Sequence, residues 1–455
     1  MQELSAALRQ TLGEDAVLSG ADALERLPAG SGARLLVLPR STEQVSQVLG
    51  LCQRAGRAVV AQGGLTGLVD GTSTGPEEVA LSLSRLRQIE EIDPLNRCMT
   101  VQAGVPLQSA QAAAEEAGLL LPVDLGARGT ATIGGMISTN AGGNRVLRFG
   151  MMREAVLGLE AVLADGTIVD SRSKLLKNNS GYDLKQLFVG TEGTLGIITR
   201  AVLRLRPLPS FQGTALVSIQ SFAQVLKFLT RMEARLFNTL SSFEVMWQPF
   251  YQLVTSAPAR GRPILGTEQP FYVLLETLGM DAEKDQDSLA VALAEAEAEG
   301  LISGAVLAQN GAQRRQMWAL RDDVEQLHRH GPAFAYDVSL SLEAMEGYVA
   351  QVQQQLSERF LEHRLYVFGH LADGNLHVVV QVPDLGAYEL VSEIVYAALA
   401  PRNSSVSAEH GIGLLKKKDL GRSRSVAELE LMRALKRALD PGSILNPGKV
   451  VDVTR

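Results

Sequence analysis

Small residues are concentrated in three segments of the first half of the chain, and no other feature of the sequence limits the possible fold as strongly. The segments are QGGLTG at 62–67, LPVDLGARGTATIGGMISTNAGG at 121–143 and VGTEGTLGII at 189–198. Such stretches carry too little apolar surface to fill a hydrophobic core. Backbone without Cβ atoms instead lets amide groups approach a ligand closely. We therefore predict that the three segments line the bed of a large cofactor.

The first of these segments does not have the spacing of a standard nucleotide motif. QGGLTG follows a predicted strand, but it matches neither GxGxxG nor GxxxxGK followed by Ser or Thr. A nicotinamide-binding Rossmann domain and a P-loop are therefore poorly supported. Alone, the segment would be interpreted as a tight turn. Its combination with the two further segments favours the cofactor bed, in which Thr66 adds a hydroxyl donor for a pyrophosphate.

Length and composition limit the class of protein. With 455 residues, of which 46% are apolar and 20% are charged, the chain is long enough for two or three globular domains. The net charge of −7 and the lack of a basic stripe argue against nucleic acid as a partner. Cys52 and Cys98 have no paired spacing, so neither a disulfide framework nor a thiolate metal site is predicted.

The N-terminus and the hydropathy of the chain predict where it is located. The first residues lack the basic and apolar regions of a secretory signal, and no stretch has about 18 uninterrupted apolar residues. We expect no transmembrane segment and a cytoplasmic protein, with peripheral attachment to the inner membrane as the alternative.

The first half of the chain is predicted to contain mainly short strands. Residues 34–61 form a strand–helix–strand unit, with Ser41 as the helix N-cap and Gly56 as its stop. Later, VLGLEAVLADGTIVD predicts a hairpin with a two-residue turn at Asp165 and Gly166.

The second half alternates strands with longer helices, which is an α+β pattern. The helices are predicted at 220–235, 283–299, 311–328, 342–358 and 386–399. We predict three regions: a first domain at 1–209, a second at 210–403, and a C-terminal segment at 404–455 that completes the active site and packs on the first domain.

Three of the six histidines lie in two short motifs near the C-terminus. In FGHLADGNLHVVV, a two-residue turn at Asp373 and Gly374 would make His370 and His377 cross-strand partners on one face of a hairpin. In SAEHGIG, Glu409 and His410 precede glycines that permit a close approach. Two imidazoles and a carboxylate suit Zn²⁺, with Mn²⁺ or Fe²⁺ as alternatives. A lone histidine is more often structural, but the presence of both motifs favours a metal site.

The three small-residue segments, in this order, resemble the flavin-binding domain of the vanillyl-alcohol oxidase superfamily over residues 30–206. The resemblance implies an α+β fold with an FAD-binding domain and a substrate, or cap, domain built on an antiparallel sheet. It also implies non-covalent FAD, because QGGLTG offers no histidine or cysteine for a covalent link. The residues that it places along FAD are Gly63, Gly64, Leu65, Thr66, Gly67, Pro122, Gly134, Gly135, Ser138, Asn140, Ala141, Gly142, Gly143, Gly193, Ile198 and Asn446.

The runs HLADGNLH, SAEHGIG and ILNPGK extend the resemblance to the FAD-linked D-lactate, D-2-hydroxyglutarate and glycolate dehydrogenase family, over about nine-tenths of the chain. The resemblance implies oxidation of a D-2-hydroxy acid to the 2-oxo acid, with hydride passing to flavin N5 and electrons passing on to a separate acceptor. It makes His370, His377 and Glu409 the ligands of a divalent metal. It also makes His410 the general base and Arg321 the residue that binds a substrate carboxylate.

Three positions depart from the hydroxyglutarate branch, which the motifs otherwise resemble most. Glu325, Ala335 and Val379 stand where that branch is expected to have threonine, lysine and asparagine. An acid and two apolar side chains would leave a second substrate carboxylate unpaired or repelled. We therefore favour D-lactate or another small or apolar D-2-hydroxy acid, with D-2-hydroxyglutarate as the alternative.

Two other functional readings follow from the same motifs. One is a non-catalytic flavin-binding subunit of a glycolate oxidase-like complex, although the presence of both metal histidines, Glu409 and His410 speaks against it. The other is an oxygen-using oxidase that acts on a phenol or a sugar without a metal. For the favoured enzyme, the expected electron acceptor is a quinone, an electron-transfer flavoprotein or a cytochrome, and a homodimer is one expected assembly.

Overall fold

The structure is a computed structural model that describes residues 1–399 and 403–453. Its residues form two compact units. The first unit comprises Met1–Gly142, Gly150–Leu208 and Glu409–Arg455, and the second comprises Gly143–Phe149 and Pro209–Ala408. The division at Leu208 lies beside the predicted boundary at residue 209. The assignment of Gly143–Phe149 to the second unit has no counterpart in the sequence prediction.

The described residues contain both strands and helices in each unit. The strands are β1 (Val17–Ser19), β2 (Leu35–Val37), β3 (Val59–Gln62), β4 (Val79–Ser82), β5 (Ile89–Asp93), β6 (Cys98–Gln102), β7 (Leu119–Leu120), β8 (Val156–Val162), β9 (Ile168–Asp170), β10 (Ile197–Arg204), β11 (Arg206–Pro207), β12 (Phe211–Ile219), β13 (Leu240–Trp247), β14 (Phe271–Gly279), β15 (Gly304–Leu307), β16 (Ala333–Leu340), β17 (Arg364–His370), β18 (Asn375–Gln381) and β19 (Ser404–Ser405). The helices are α1 (Gln2–Leu12), α2 (Ala21–Leu24), α3 (Thr42–Arg54), α4 (Leu107–Glu116), α5 (Ile133–Thr139), α6 (Val146–Phe149), α7 (Met152–Ala155), α8 (Phe222–Arg235), α9 (Gln248–Thr255), α10 (Ala282–Ala298), α11 (Gly311–Asp322), α12 (Met345–Arg359), α13 (Tyr388–Ala397), α14 (Leu420–Ser423) and α15 (Val426–Leu439). Within the ranges that the structure describes, no helix is both long and apolar enough to cross a membrane.

The first unit contains a four-stranded sheet in the order β1-β2-β4-β3 and a five-stranded antiparallel sheet in the order β5-β6-β10-β8-β9. The predicted strand–helix–strand unit is β2-α3-β3, and β4 lies between its two strands in parallel pairing. Ser41 caps α3 by accepting a hydrogen bond from the Gln44 amide at 3.3 Å. The apolar face of α3, with Val45, Val48 and Leu49 fully buried, packs into the core of this unit.

The predicted hairpin around Asp165 is present, but its turn is longer than two residues. Val162 pairs with Ile168, and the Leu163 amide donates to the Thr167 carbonyl at 2.9 Å, which leaves three residues in the loop. Gly166 has a φ of +89°, a conformation that favours glycine. The Asp-Gly signal therefore located the hairpin correctly and gave the wrong loop length.

The second unit is built on one eight-stranded antiparallel sheet in the order β15-β12-β14-β13-β17-β18-β16-β19. The five predicted helices correspond to α8, α10, α11, α12 and α13. Helix α11 ends at Asp322, and a separate 3₁₀ turn at Val324–His328 follows it, so the predicted helix over 311–328 is divided. An apolar cluster that includes Phe250, Leu320 and Phe368 packs α9 and α11 against the sheet.

Polar contacts hold the short segment Gly143–Phe149 in the second unit. Arg145 Nε donates to Glu276 Oε1 at 3.3 Å, and Arg148 Nη1 donates to the Leu278 carbonyl at 2.5 Å. Ser242 Oγ also donates to the Asn144 carbonyl. Because Glu276 is buried in β14, its pairing with Arg145 anchors the segment to the sheet. The second glycine of AGGN, Gly143, thus lies outside the unit that holds the other predicted flavin-binding residues.

Candidate active site

The loop after β3 packs its backbone directly against the second small-residue segment. A Cβ atom on Gly64 would lie 1.9 Å from the Thr130 carbonyl oxygen, and one on Gly63 would lie 2.5 Å from Thr132 Oγ1. A Cβ atom on Gly134 would lie 2.5 Å from that of Ala103. These distances are below any normal contact, so only glycine fits here. Two of the three predicted small-residue segments therefore meet in the first unit.

The third segment is tied to the other two through Asn446. Its Oδ1 accepts a hydrogen bond from the Ala61 amide at 2.9 Å, and its Nδ2 donates to the Glu192 carbonyl at 2.5 Å. A Cβ atom on Gly193 would lie 3.0 Å from Asn446 Nδ2. The end of β3, the segment at 189–198 and the terminal ILNPGK are thus joined around one amide side chain.

Two of the remaining predicted flavin-binding residues, Asn140 and Ile198, lie at the end of α5 and in β10. Asn140 ends α5 with a φ of +50°, and its Oδ1 accepts from the Arg153 amide at 2.9 Å. Ile198 is buried in β10. The others that lie in the first unit are Leu65, Thr66, Gly67, Pro122, Gly135, Ser138, Ala141 and Gly142.

One buried polar atom fits a cofactor at this place. Thr132 Oγ1 is buried and has no hydrogen-bond partner among the described residues. It faces Gly63 and Gly135, which present no Cβ atoms to it. A buried hydroxyl without a partner is destabilising by about 1–3 kcal/mol. A polar ligand on the glycine bed would satisfy it, so the residues present fit FAD.

The histidine hairpin brings its two imidazoles together with a different register from the predicted one. Phe368, not His370, lies opposite His377, because a 3₁₀ turn at Leu371–Asp373 and Gly374 make a four-residue loop. The shift is two residues, so both histidines stay on the same face of the sheet. Their ring centroids are 5.4 Å apart. The predicted cross-strand pair is therefore wrong in register and correct in face.

A buried carboxylate connects His370 to Arg321. Glu244 lies opposite His370 across the pairing of β13 and β17. Its Oε1 is 2.6 Å from His370 Nδ1, and its Oε2 accepts from Arg321 Nε at 2.9 Å. Burial alone would raise the pKa of Glu244, but the adjacent imidazole and guanidinium outweigh burial and hold the pKa at about 2. The carboxylate is therefore ionised, and Nδ1 of His370 is the donor.

Arg321 is oriented by this carboxylate and by an aromatic ring. It lies at the end of α11, 5% exposed, with its guanidinium carbon 4.8 Å from the centroid of Phe368. Among the described residues, its two Nη groups have no hydrogen-bond acceptor in the protein. Arg321, which the sequence predicts to bind a carboxylate, thus has two donors that no acceptor among the described residues uses.

Asp337 supports the other side of the hairpin. It lies opposite His377 in the pairing of β16 with β18, and its Oδ1 accepts from Asn375 Nδ2 at 2.8 Å. Its Oδ2 accepts from the Ala408 amide at 3.1 Å. Ala408 belongs to SAEHGIG, so the start of the second predicted motif is bonded to Asp337 within the second unit.

The three predicted specificity positions differ in exposure. Ala335 and Val379 are direct cross-strand partners, on the same strand faces as Asp337 and His377. Val379 is buried in the apolar cluster, whereas Ala335 is exposed. Glu325 is an exposed residue of the 3₁₀ turn that follows α11. No lysine or asparagine occupies the sheet positions of Ala335 and Val379.

Three acidic residues of the site were not predicted from the sequence, namely Glu244, Asp337 and Glu192. Glu244 and Asp337 become neighbours of the histidines only through strand pairing, and no local motif marks them. Glu192 has a signal that could have been used, because it is an acid inside a small-residue segment, in the stretch Gly-Thr-Glu-Gly.

Comparison with known proteins agrees with the division of the chain into two units. The family described as FAD binding domain matches residues 33–172, and the family described as FAD linked oxidases, C-terminal domain, matches residues 208–450. The structure is similar to p-cresol methylhydroxylase with substrate bound, with a TM-score of 0.77 and 16% identity, over 99% of this chain and 97% of that chain. It is also similar to alkyldihydroxyacetonephosphate synthase, with a TM-score of 0.76 and 16% identity, over 98% of this chain and 84% of that chain. These likenesses confirm the predicted vanillyl-alcohol oxidase-type fold.

Relatives of higher identity extend over nearly the whole chain. The mitochondrial D-2-hydroxyglutarate dehydrogenase of Bos taurus is 40% identical over 92% of this chain and 77% of the relative. The D-2-hydroxyglutarate dehydrogenase of Xanthomonas citri pv. viticola is 38% identical over 92% of this chain and 89% of the relative. The chain therefore belongs to the FAD-linked D-2-hydroxy acid dehydrogenase family, of the D-2-hydroxyglutarate and D-lactate dehydrogenase type.

Proposed function

We propose that the protein oxidises a D-2-hydroxy acid to the corresponding 2-oxo acid with non-covalent FAD and a divalent metal ion. One observation carries the proposal: Glu244 joins His370 to Arg321 inside the second unit. Arg321 then presents two unused donors beside a pair of imidazoles. This combination suits a ligand that has a carboxylate and an adjacent oxygen on a metal.

The proposed metal ligands are His370, His377 and Glu409, a group of three side chains that could hold a metal ion. A second such group consists of Asp337, His377 and His410. We favour the first because the Asp337 carboxylate already accepts hydrogen bonds from Asn375 and Ala408. Two histidines and one carboxylate match zinc best, with manganese or iron as alternatives.

The residues of the protein have separate tasks in this proposal. Arg321 binds the substrate carboxylate through its two Nη groups, and Glu244 keeps the guanidinium and the His370 ring in fixed orientations. His410 takes the proton of the C2 hydroxyl as general base. When bound, the metal would supply positive charge that lowers the pKa of that hydroxyl, and FAD would supply the hydride acceptor.

Two substrates have support from different observations. The names of the relatives favour D-2-hydroxyglutarate. The side chains of this chain favour D-lactate or another small or apolar D-2-hydroxy acid, because Val379 lies in an apolar cluster and Ala335 offers no charge to a second carboxylate. We propose the small or apolar substrate as the first candidate and D-2-hydroxyglutarate as the second.

A flavin-reduction assay tests the reaction and the substrate together. Purified metal-loaded protein is mixed anaerobically with D-lactate, D-malate, D-2-hydroxyglutarate and longer D-2-hydroxy acids, and the flavin absorbance is followed. We expect bleaching with at least one of them, and loss of bleaching after EDTA treatment or in His377→Ala. No bleaching with any D-2-hydroxy acid would overturn the proposed reaction. Preference for hydroxyglutarate would overturn the first substrate candidate alone.

The electrons are proposed to leave the flavin for a separate acceptor, namely a quinone, an electron-transfer flavoprotein or a cytochrome. A flavin that is reduced under nitrogen and reoxidised slowly by air would support such an acceptor. Rapid formation of hydrogen peroxide would instead favour the oxidase reading. The cytoplasmic location and the homodimer stay predictions from sequence.

A further inference from the structure

Glu192 has an unusual position inside the third small-residue segment. Its side chain is buried, with 9% of the residue exposed, and its backbone has a φ of +52°, which is uncommon for a residue with a Cβ atom. Its Oε1 accepts from the Ile412 amide at 2.6 Å, and its Oε2 accepts from the Gly413 amide at 2.9 Å. Both carboxylate oxygens are therefore bonded to the main chain that follows His410.

The main chain of Glu192 is hydrogen-bonded to two other parts of the proposed flavin bed, by which we mean the three small-residue segments and the terminal ILNPGK. Its amide donates to the Ser138 carbonyl at 2.8 Å. Its carbonyl accepts from Asn446 Nδ2 at 2.5 Å. One residue therefore connects α5, the terminal ILNPGK and the GIG sequence after His410, and all of these lie in the first unit.

The glycines of the GIG sequence are explained by this contact. Gly411 has a φ of +84°, and a Cβ atom there would lie 2.8 Å from Glu192 Oε1. Gly413 has a φ of +50°, and a Cβ atom there would lie 2.0 Å from the Val69 carbonyl. The backbone after His410 thus approaches the carboxylate as closely as glycine allows, and its path is fixed on both sides.

We infer that Glu192 is a positioning residue for His410, which fixes the backbone after this histidine to the segments that line the flavin. The inference rests on the proposed function, because it assigns the orientation of the proposed base to a residue of the flavin bed. Charged acceptors make the stronger hydrogen bonds, and two of them to consecutive amides restrict both the position and the direction of the peptide.

Burial raises the pKa of the Glu192 carboxyl, and the two amides together with Lys416 oppose this effect. The Ile412 and Gly413 amides therefore stabilise the buried carboxylate, and the carboxylate in turn holds the loop that follows His410. A glutamine at this position would keep one acceptor oxygen and would turn an NH₂ group toward the other amide.

Hydrogen–deuterium exchange in the full-length, flavin-loaded protein tests the inference directly. In Glu192→Ala we expect the peptide that covers 409–416 to exchange about ten- to a hundredfold faster at two amides, and in Glu192→Gln at one. Glu428→Gln is the matched control, because Glu428 lies in the same unit and its carboxylate accepts from the Ser425 amide in the capping box of α15. This control should leave exchange over 409–416 unchanged.

The kinetic readout separates positioning from a general loss of structure. With flavin content equal to that of the unmodified protein, Glu192→Gln should lower kcat for flavin reduction by about tenfold or more and leave KM within about threefold. Unchanged exchange in both variants would overturn the inference alone. If His410→Ala has lost flavin reduction, a Glu192 variant that exchanges faster but keeps its kcat would also overturn the inference. A fully active His410→Ala would overturn the proposed base and this inference together.

Discussion

The proposed flavin bed of the first unit and the histidine face of the second unit, which carries His370 and His377, are built from opposite kinds of group. In the proposed flavin bed, glycines at 63, 64 and 134 allow close contacts with Thr132, Thr130 and Ala103 that a Cβ atom would block. In the histidine face, Glu244, Arg321 and Asp337 are buried charged side chains that orient one another and the imidazoles. The glycines of the first unit contribute shape, and the buried side chains around His370 and His377 contribute charge.

This difference predicts that the two sites tolerate different changes. A backbone-built bed is sensitive to any added atom, because no rotamer can move a Cβ away from a carbonyl. A side-chain-built face is sensitive to loss of charge, because one missing partner leaves another buried charge uncompensated. The following predictions test this contrast, in order of decreasing expected effect.

The largest effect is expected from a single methyl group in the flavin bed. Gly64→Ala would place its Cβ 1.9 Å from the Thr130 carbonyl, so the loop after β3 must move away from the second segment. We expect loss of bound FAD and a destabilisation of more than about 3 kcal/mol, the upper end of the usual range for overpacking. Flavin absorbance and thermal unfolding measure both. Gly126→Ala, at an exposed glycine with nothing within 4 Å, should have no effect.

The second prediction concerns Lys436, one of the buried charged residues of the first unit. Lys436 Nζ donates to the carbonyls of Thr194 and Leu445 at 2.8 and 2.7 Å, and to Asp440 Oδ2 at 2.5 Å. Lys436→Met leaves Asp440 as an uncompensated buried charge, which should lower the free energy of unfolding by about 3–5 kcal/mol.

A double variant with Asp440→Asn tests the cause of that loss. It should recover part of the stability in chemical denaturation, because the buried charge is then gone. If Lys436→Met unfolded at the same denaturant concentration as the unmodified protein, charge would have no structural importance in this unit.

The third prediction addresses the charge network of the second unit. Glu244→Gln keeps the size of the side chain but removes the negative charge that lies beside Arg321 and His370. We expect kcat/KM for flavin reduction and metal affinity to fall by about 10–100-fold, as for other partners of metal ligands. Glu346→Gln, on the exposed face of α12 in the same unit, is the control and should behave as the unmodified protein. Equal activity of both variants would contradict the role of the network.

The smallest effect is expected at the specificity position. Ala335→Lys introduces a positive charge beside Val379, and the ratio of kcat/KM for D-2-hydroxyglutarate to that for D-lactate should rise by about tenfold. Ala335→Met adds similar length without charge and should leave the ratio unchanged. An equal rise in both variants would mean that the side chain acts by its size.

Features that lie in one stretch of sequence were predicted better than features that depend on the pairing of β-strands. The three small-residue segments and the Ser41 cap are readable because each lies in one stretch of chain. The histidine pair was predicted on the correct face because an error of two residues in register conserves the side-chain alternation of a strand. Glu244 was missed because its partners are 77 and 126 positions away in sequence. Its role depends on the pairing of β13 with β17, which no local pattern specifies.

The path of the chain between the two units has a consequence for how the protein is made. The first unit needs the segment Glu409–Arg455, since Lys436 bonds to Thr194 and Asn446 bonds to Ala61. The second unit needs only Gly143–Phe149 and Pro209–Ala408. During synthesis, all residues of the second unit emerge from the ribosome before those of the first unit are complete. The unit that begins the chain is therefore the last to be able to finish folding.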